Sequence, residues 1–259
     1  MINTKTNSKS RIIFLLIISI GLYACNNRES FSIEKQSFTT DMIIDCESVD
    51  CASIEINLLN IIGDGPVAKM INKEIQNTIC IGLGIDKTST TLSIKDIVSQ
   101  FNTSYQNIRN EFPDDNIPHE ATIDCELNYQ SDNLISILID SYVFTGGAHG
   151  NGTVSYLNVD TENGKKLSNS DLLKDHNHFK QYVEKIFREQ HKIPENESIN
   201  STGFFFEDDT FSLPETIGFT SNEVVLYYNQ YEINSYAEGP IELRLDKKDV
   251  SSFFTYTIL

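Results

Sequence analysis

The amino-acid sequence predicts an α+β fold in which helices pack on one face of a largely antiparallel sheet. Segments with strand periodicity and segments with helical periodicity are mixed along the chain. Hairpin-length turns join several of the strands, which favours antiparallel pairing over the regular crossovers of a parallel sheet. About 220 residues follow the N-terminal leader and a short polar tether without a Pro-, Gly- or Ser-rich linker, so they form one large domain or two intimately packed ones.

Two strands and then two helices are predicted in the first half of the chain. Residues 38–47 and 52–61 have strand character, and the second segment alternates apolar residues on one face. A turn rich in glycine and proline precedes a helix over residues 67–80, because proline suits the first helical turn. Apolar residues then recur at helical spacing over residues 93–112, where a proline ends a second helix.

The second half begins with a predicted hairpin of residues 122–130 and 134–144, joined by a Ser-Asp-Asn turn. The hairpin runs into YVFTGGAHGNG, residues 142–152, which is the densest glycine cluster in the sequence, and a strand over 153–160 follows. The remaining predicted elements are a helical turn at 169–173, a helix over 179–190, strands at 218–219, 224–228 and 241–246, and a closing helix at 247–254.

The N-terminus has the parts of an export signal. Lys5, Lys9 and Arg11 precede eleven apolar residues, 12–22. A run of this length is too short to span a bilayer, which needs about 20 apolar residues. The basic residues and the short apolar run therefore predict a signal peptide.

The signal ends in Leu22-Tyr23-Ala24-Cys25, which resembles a bacterial lipobox. In such signals the chain is cut before the cysteine, and the cysteine is then acylated. We therefore predict a lipoprotein signal peptide over residues 1–24, lipidation of Cys25 and a polar tether over residues 25–37. The alternative is an ordinary signal in which the cysteine is incidental. A lipid anchor places the protein in the cell envelope, and we expect it on the outer membrane, facing the periplasm.

The chain is strongly acidic. Its formal net charge is −17, and the predicted signal peptide carries three of the twenty basic residues and no acidic one, so the mature chain carries −20. A protein with this charge lacks the basic surface that neutralises phosphates, so we predict no nucleic-acid partner. The same field either keeps the protein soluble or attracts a cationic partner.

Four cysteines remain after Cys25, at positions 46, 51, 80 and 125. An even number in an exported protein predicts two disulfides among Cys46, Cys51, Cys80 and Cys125, with three pairings left open. Metal binding is the competing interpretation, but no Cys-x-x-Cys pair supports it. We predict neither a metal site nor a cofactor.

The glycine-rich stretch contains His149, which we consider a binding residue. The stretch lacks both the following helix of a dinucleotide fingerprint and the lysine of a P-loop, so its glycines are typical of a wide turn. A second aromatic group, which includes Tyr231 and Tyr236, is interleaved with Asn and Gln residues and suits recognition of sugars or proteins. No catalytic motif is present, and we assign no catalytic residue.

Three stretches together resemble the extracytoplasmic domain of unknown function found in the anti-sigma factor RsiV. They are YVFTGGAHGNG, LNVDTENGKKLSNSDLL at residues 157–173, and YYNQYEINSYAEGPIELRL at residues 227–245. Residues 54–80 are similar to a companion domain shared with the peptidoglycan deacetylase PdaC. The resemblance implies an N-terminal subdomain over residues 38–118 and a C-terminal subdomain over residues 119–259.

In RsiV the domain pair receives lysozyme, and in PdaC the chemistry belongs to a separate domain. The resemblance therefore implies binding rather than catalysis. We expect a lipid-anchored envelope protein that binds either a peptidoglycan-like glycan or a lysozyme-like protein. The alternative is a hydrolase or esterase that acts on envelope glycan through His149 and an unassigned acid.

Overall fold

A computed structural model describes residues 31–46, 50–85, 92–114 and 117–259. Of the predictions, the signal peptide and Cys25 lie outside these residues. The fold is α+β, as predicted, with one five-stranded and one three-stranded sheet. None of the helices within the described ranges is long and apolar enough to cross a membrane.

The first sheet has the strand order β1-β2-β3-β4-β5, so each strand lies beside its neighbour in the chain. Only β2 and β3 pair in parallel, and the other three pairs are antiparallel. The strands are β1 (Ser32–Thr39), β2 (Ser53–Ile62), β3 (Glu120–Gln130), β4 (Leu134–Phe144) and β5 (Asn151–Asp160).

Helices α1 (Thr40–Ile43), α2 (Pro66–Gly82) and α3 (Ile94–Glu111) accompany this sheet. Helix α2 contacts β2, β4 and β5, and its apolar stripe and that of α3 join the first hydrophobic core. Helix α3 starts at a capping box in which Ser93 accepts from Asp96 N and the Asp96 side chain accepts from Ser93 N. These local signals explain why the sequence predicted both long helices.

The prediction of a strand over residues 38–47 was wrong. Strand β1 starts earlier, within the predicted tether, and the chain turns into α1 at Thr40. The Thr40 hydroxyl donates to Ala52 O at 2.8 Å and accepts from Ile54 N at 2.9 Å. This buried link to β2 ends the strand, and it involves residues too distant in sequence for local periodicity to report.

The second half forms its own core around the remaining elements. Phenylalanines from α5 and from the chain after it fill much of this core. The elements are α4 (Asn169–Leu172), α5 (His176–Gln190), β6 (Thr216–Phe219), β7 (Glu223–Tyr228), β8 (Ile241–Asp246) and α6 (Lys247–Val250). The order of strands in the second sheet is β6-β7-β8.

Residues of the second half cover the outer edge of β5. Asn229 accepts from Val154 N at 2.8 Å and donates to Val154 O at 2.9 Å, so one side chain satisfies both backbone groups. Tyr156 N donates to Thr216 Oγ1 at 2.6 Å. An edge strand whose polar groups are paired in this way offers little to a foreign strand, and it holds the two halves together.

The predicted subdomain boundary between residues 118 and 119 falls inside the first sheet. Strands β3, β4 and β5 lie on its C-terminal side, yet they pair with β2 and contribute Ile123, Ile137 and Leu157 to the first core. The second core draws almost entirely on residues after Asp160. The two cores therefore divide the chain near Asp160.

One of the two predicted disulfides is present. Cys46 and Cys51 are joined, with 5.8 Å between their Cα atoms. Cys80 and Cys125 are instead buried thiols within the first core, so the second predicted disulfide is not formed. Burial raises the pKa of the Cys125 thiol to about 12. The even cysteine count indicated pairing, but burial in an apolar core also accounts for a cysteine.

Candidate functional site

The site is built on the loop between β4 and β5. Gly146 and Gly147 have φ values of 101° and 96°, a conformation that glycine adopts without a Cβ clash. Gly150 lies directly under the ring of Tyr142, where a Cβ would overlap that ring. As predicted, a strand follows the glycine-rich stretch, so its glycines shape a turn that presents His149.

His149, Tyr231 and Tyr236 form one aromatic cluster, although they come from distant segments. The ring of His149 stacks on that of Tyr236, with 3.7 Å between centroids and 18° between planes. The Tyr231 ring lies 5.7 Å from that of Tyr236. We call these three side chains the aromatic surface. The structure thus brings together the three residues that the sequence singled out for binding.

Two side chains of the aromatic surface, His149 and Tyr236, contact the same main-chain carbonyl. His149 Nδ1 lies 3.0 Å from Gly150 O, and the Tyr236 hydroxyl donates to the same oxygen at 3.3 Å. A carbonyl oxygen can only accept, so Nδ1 carries a hydrogen, and Nε2 is the ring nitrogen that takes no part in this bond. Tyr231 is 55% exposed and has a φ of 66°, which is unusual for a residue with a side chain. Such backbone conformations are typical of functional sites.

A cleft of about 720 Å³ opens beside the aromatic surface and includes His149 in its lining. None of the seventeen described residues that line it is Asp, Glu, Lys or Arg, although these make up 22% of the chain. Exposed apolar side chains and uncharged polar ones share the lining: Ile81, Ile108, Gln100, Ser104, Asn151, Thr153 and Ser155. The cleft therefore suits an uncharged ligand with apolar and polar faces.

Sequence reasoning missed the cleft. Ile108 shares the apolar spacing of the second predicted helix, but it is 38% exposed, and Ile81, one residue past the predicted end of the first helix, is 54% exposed. Periodicity alone cannot distinguish an exposed member of an apolar stripe, such as Ile108, from a core residue. Only the position of the β4–β5 loop opposite the helix ends shows that Ile81 and Ile108 line a cleft.

The His149 ring forms a hydrogen bond to the main chain. Its Nδ1 bonds a main-chain carbonyl, and among the described residues no carboxylate lines the cleft. Within the described ranges, no three His, Cys, Asp or Glu residues are grouped closely enough to hold a metal ion.

The other histidines do not join the aromatic surface, although His119 lines the same cleft as His149. His119 is buried among the rings of Phe101 and Tyr105 in the first half. His178 contacts Phe253 edge-on near the start of α5. Neither joins the aromatic surface, so His149 is the histidine on which a binding role rests.

Two like charges face each other on the exposed side of the first sheet. Asp124 on β3 is paired directly with Asp140 on β4. Burial, and then the neighbouring Asp124, raise the pKa of the Asp140 carboxyl. Asn57 donates to Asp124 at 2.9 Å and partly compensates this pair. This acidic pair lies on β3 and β4, two strands that also lead toward the site.

Comparisons with known proteins agree with the predicted resemblance. Residues 46–152 match the family model described as Deacetylase PdaC, and residues 170–248 match that of a protein of unknown function, DUF3298. The two matched segments correspond closely to the two halves that the cores define. The aromatic surface draws one residue from the first segment and two from the second.

Two solved structures share the fold. A DUF3298 family member from Bacteroides fragilis aligns with a TM-score of 0.62 at 18% identity, covering 88% of this chain and 94% of that one. A DUF3298 family protein from Pseudomonas aeruginosa aligns with a TM-score of 0.58 at 19% identity, covering 89% and 96% respectively. No curated protein matches the chain.

Proposed function

We propose that the protein is a lipid-anchored cell-envelope binding protein and that its ligand docks on the aromatic surface. The observation that carries this proposal is the stacking of His149 on Tyr236, with Tyr231 beside them. His149 and Tyr231 are exposed, and hydrogen bonds to Gly150 O hold His149 and Tyr236 in place. The PdaC and DUF3298 matches support an envelope role. The predicted lipobox supports the same role, because a lipid anchor would hold both matched segments outside the inner membrane.

The ligand that fits the geometry best is a peptidoglycan-like glycan. Sugar rings stack on aromatic faces, and tyrosine adds a hydroxyl beside its apolar face. The adjoining cleft presents hydroxyls, amides and apolar side chains but no charged group among its described lining residues. A glycan strand whose sugars carry hydroxyl and acetamido groups matches that combination.

The test is binding of the purified mature protein to isolated cell-wall sacculi in a sedimentation assay. Tyr231→Ala removes an exposed ring and leaves the core intact, so we expect roughly tenfold weaker binding. Phe205→Ala is the matched control, because Phe205 is 47% exposed but lies outside the aromatic surface. Equal binding by wild type and Tyr231→Ala would overturn the assignment of this surface.

The lipid anchor has its own test. Cys25→Ala should release the protein into the soluble fraction or leave it unprocessed, because the acyl chains supply the membrane affinity. Intact mass of the membrane-extracted wild type should show the acyl chains. An unmodified Cys25 in that material would contradict the anchor.

A lysozyme-like protein is the second candidate, and the charge of the chain favours it. The mature chain carries −20, and Asp124 and Asp140 add a local concentration of negative charge. A cationic protein would be attracted over a Debye length of about 8 Å at physiological salt. Docking on the aromatic surface would make the association rate sensitive to salt and the dissociation rate much less so.

Surface plasmon resonance with hen-type lysozyme separates docking from simple attraction. Tyr236→Ala should raise the dissociation rate, whereas Glu→Gln changes on the exposed surface should lower only the association rate. Complete loss of binding at moderate salt, matched by an unrelated acidic protein, would show that only charge acts. Such a result would leave the glycan as the ligand to pursue.

A further inference from the structure

A separate pocket of about 560 Å³ lies in the second half of the chain, between the end of α5 and the segment that leads into β8. It is distinct from the cleft beside His149, and the two share no lining residue. Its lining combines aromatic, hydroxyl, amide and carboxylate side chains: His191, Thr202, Phe204, Asn234, Ser235 and Glu238.

Asn234 is the unusual member of this lining. Its side chain is only 3% exposed, yet neither Nδ2 nor Oδ1 has a hydrogen-bond partner among the described residues. Leaving a buried polar group unpaired costs about 1–3 kcal/mol, so such groups normally have partners. Here both halves of one amide are unpaired, and the amide borders a pocket. Asn234 therefore offers a donor and an acceptor side by side to a molecule in that pocket.

His191 adds a second unpaired group. Its Nε2 is buried and has no hydrogen-bond partner within the described part of the chain. The ring is held between Phe187 and Phe204, at centroid distances of 4.4 Å and 4.9 Å. Burial lowers the pKa of His191, which favours the neutral form of the ring. A neutral ring of fixed orientation provides one polar atom and, with Phe204, an aromatic wall.

We propose that this pocket binds one neutral pyranose sugar. Adjacent hydroxyls of a sugar can donate to Asn234 Oδ1 and accept from Asn234 Nδ2 at the same time, which satisfies both orphan atoms. The Glu238 carboxylate accepts a further hydroxyl, and Phe204 faces the apolar side of the ring. The volume exceeds that of a single sugar ring and leaves room for a substituent.

The charges of the lining exclude an anionic ligand. Glu238 is the one charged residue among the described residues that line the pocket, and no Lys or Arg is present to pair with a phosphate or carboxylate. A phosphorylated or acidic sugar would bring its charge next to Glu238. The preference should therefore run from neutral sugars to acidic ones, with acidic sugars bound least.

The pocket is separate from the aromatic surface of the proposed function, although the two sites are close in sequence. The turn Tyr236–Glu238 contributes Tyr236 to the aromatic surface and Glu238 to the pocket. Tyr231 does not line the pocket. Tyr231→Ala and changes in the pocket can therefore be measured against each other, and either site can fail alone.

The experiment uses the purified mature protein and saturation-transfer NMR, followed by calorimetric titration. The probes are methyl glucoside, methyl galactoside and N-acetylglucosamine, with glucuronic acid as the anionic comparator. We expect millimolar binding of at least one neutral probe and much weaker binding of glucuronic acid. Asn234→Leu should weaken binding by roughly tenfold or more, because two hydrogen bonds are lost from a site built around them.

Matched variants keep the test interpretable. Removing an unpaired buried amide is neutral or stabilising, so Asn234→Leu should fold. Glu238→Gln and Thr202→Val change exposed side chains of the pocket and carry the test if Asn234→Leu does not fold. Glu162→Gln is the control on an exposed carboxylate outside the pocket, and it should bind like the wild type.

Three results would overturn the proposal. One is the absence of binding for every neutral probe at tens of millimolar. Another is unchanged affinity in Asn234→Leu. The third is glucuronic acid binding as well as its neutral counterparts, since the lining offers nothing to stabilise that carboxylate.

Discussion

Lys247, the first residue of α6, is buried without an ionic partner, and its replacement by methionine should stabilise the protein. The side chain is 2% exposed, and within the described residues Nζ has no hydrogen-bond partner. Its compensation is the ring of Tyr129 on β3, whose centroid lies 3.3 Å from Nζ. The amine therefore sits between the two halves of the chain at a considerable electrostatic cost.

The magnitude follows from the pKa of the amine. Burial lowers the pKa of Lys247 from 10.5 to about 8. At 1.36 kcal/mol per pKa unit, this difference corresponds to about 3.4 kcal/mol of destabilisation when the amine is charged in both states. Methionine removes that cost but also the cation–π contact, which contributes about 1–2 kcal/mol. We therefore expect Lys247→Met to raise the free energy of unfolding by about 1.5–2.5 kcal/mol at pH 7.

The pH dependence gives the sharper test. Because the folded pKa lies below the unfolded one, the unfolded chain binds more protons between about pH 8 and 10.5. The cost is fully present below pH 8 and is relieved as the pH rises toward 10.5. The advantage of Lys247→Met over wild type should therefore shrink by roughly 2 kcal/mol between pH 7 and 9.5.

Urea unfolding of wild type and Lys247→Met at both pH values measures this change. Other groups that titrate in this range cancel in the difference between the two proteins. Lys248→Met is the control, because Lys248 is the exposed neighbour in the same helix. A difference between Lys247→Met and wild type that stays constant from pH 7 to 9.5 would refute the electrostatic reasoning.

Three further predictions follow from contacts in the two halves. Gly218→Ala should lower the free energy of unfolding by about 2–3 kcal/mol, because the new Cβ would overlap the buried ring of Tyr156. A value from urea unfolding within about 0.5 kcal/mol of the wild type, which is the range of neutral surface changes, would contradict this. Asn229→Ala should cost about 2 kcal/mol in the same assay, since both backbone groups of Val154 lose their partner, and an unchanged midpoint would show that water replaces the amide. Cys125 should resist iodoacetamide at pH 8 in the folded protein, because burial raises the pKa of its thiol to about 12. It should react once urea unfolds the chain. Alkylated Cys125 in the native protein, detected by mass spectrometry, would show that this core opens.

Most helices and strands could be predicted from the sequence because their signals are local. Helix α3 starts where Ser93 and Asp96 form a capping box, and β4 covers residues 134–144 as expected from its apolar pattern. The first strand could not be predicted in this way. Its end is decided by a hydrogen bond from Thr40 to Ala52, twelve residues away, and no pattern within one strand reports that bond.

The sequence by itself determined the fold class, the resemblance to two families and the identity of three binding candidates, since composition, periodicity and motifs carry that information. Tertiary structure decided the rest. It stacked His149 on Tyr236, it left the Asn234 amide unpaired at a pocket, and it buried Cys80 and Cys125 as thiols. Each of these outcomes depends on which distant segments pack together. The sequence specifies the chemical type of each side chain, but its contacts and its exposure to solvent depend on the folded structure.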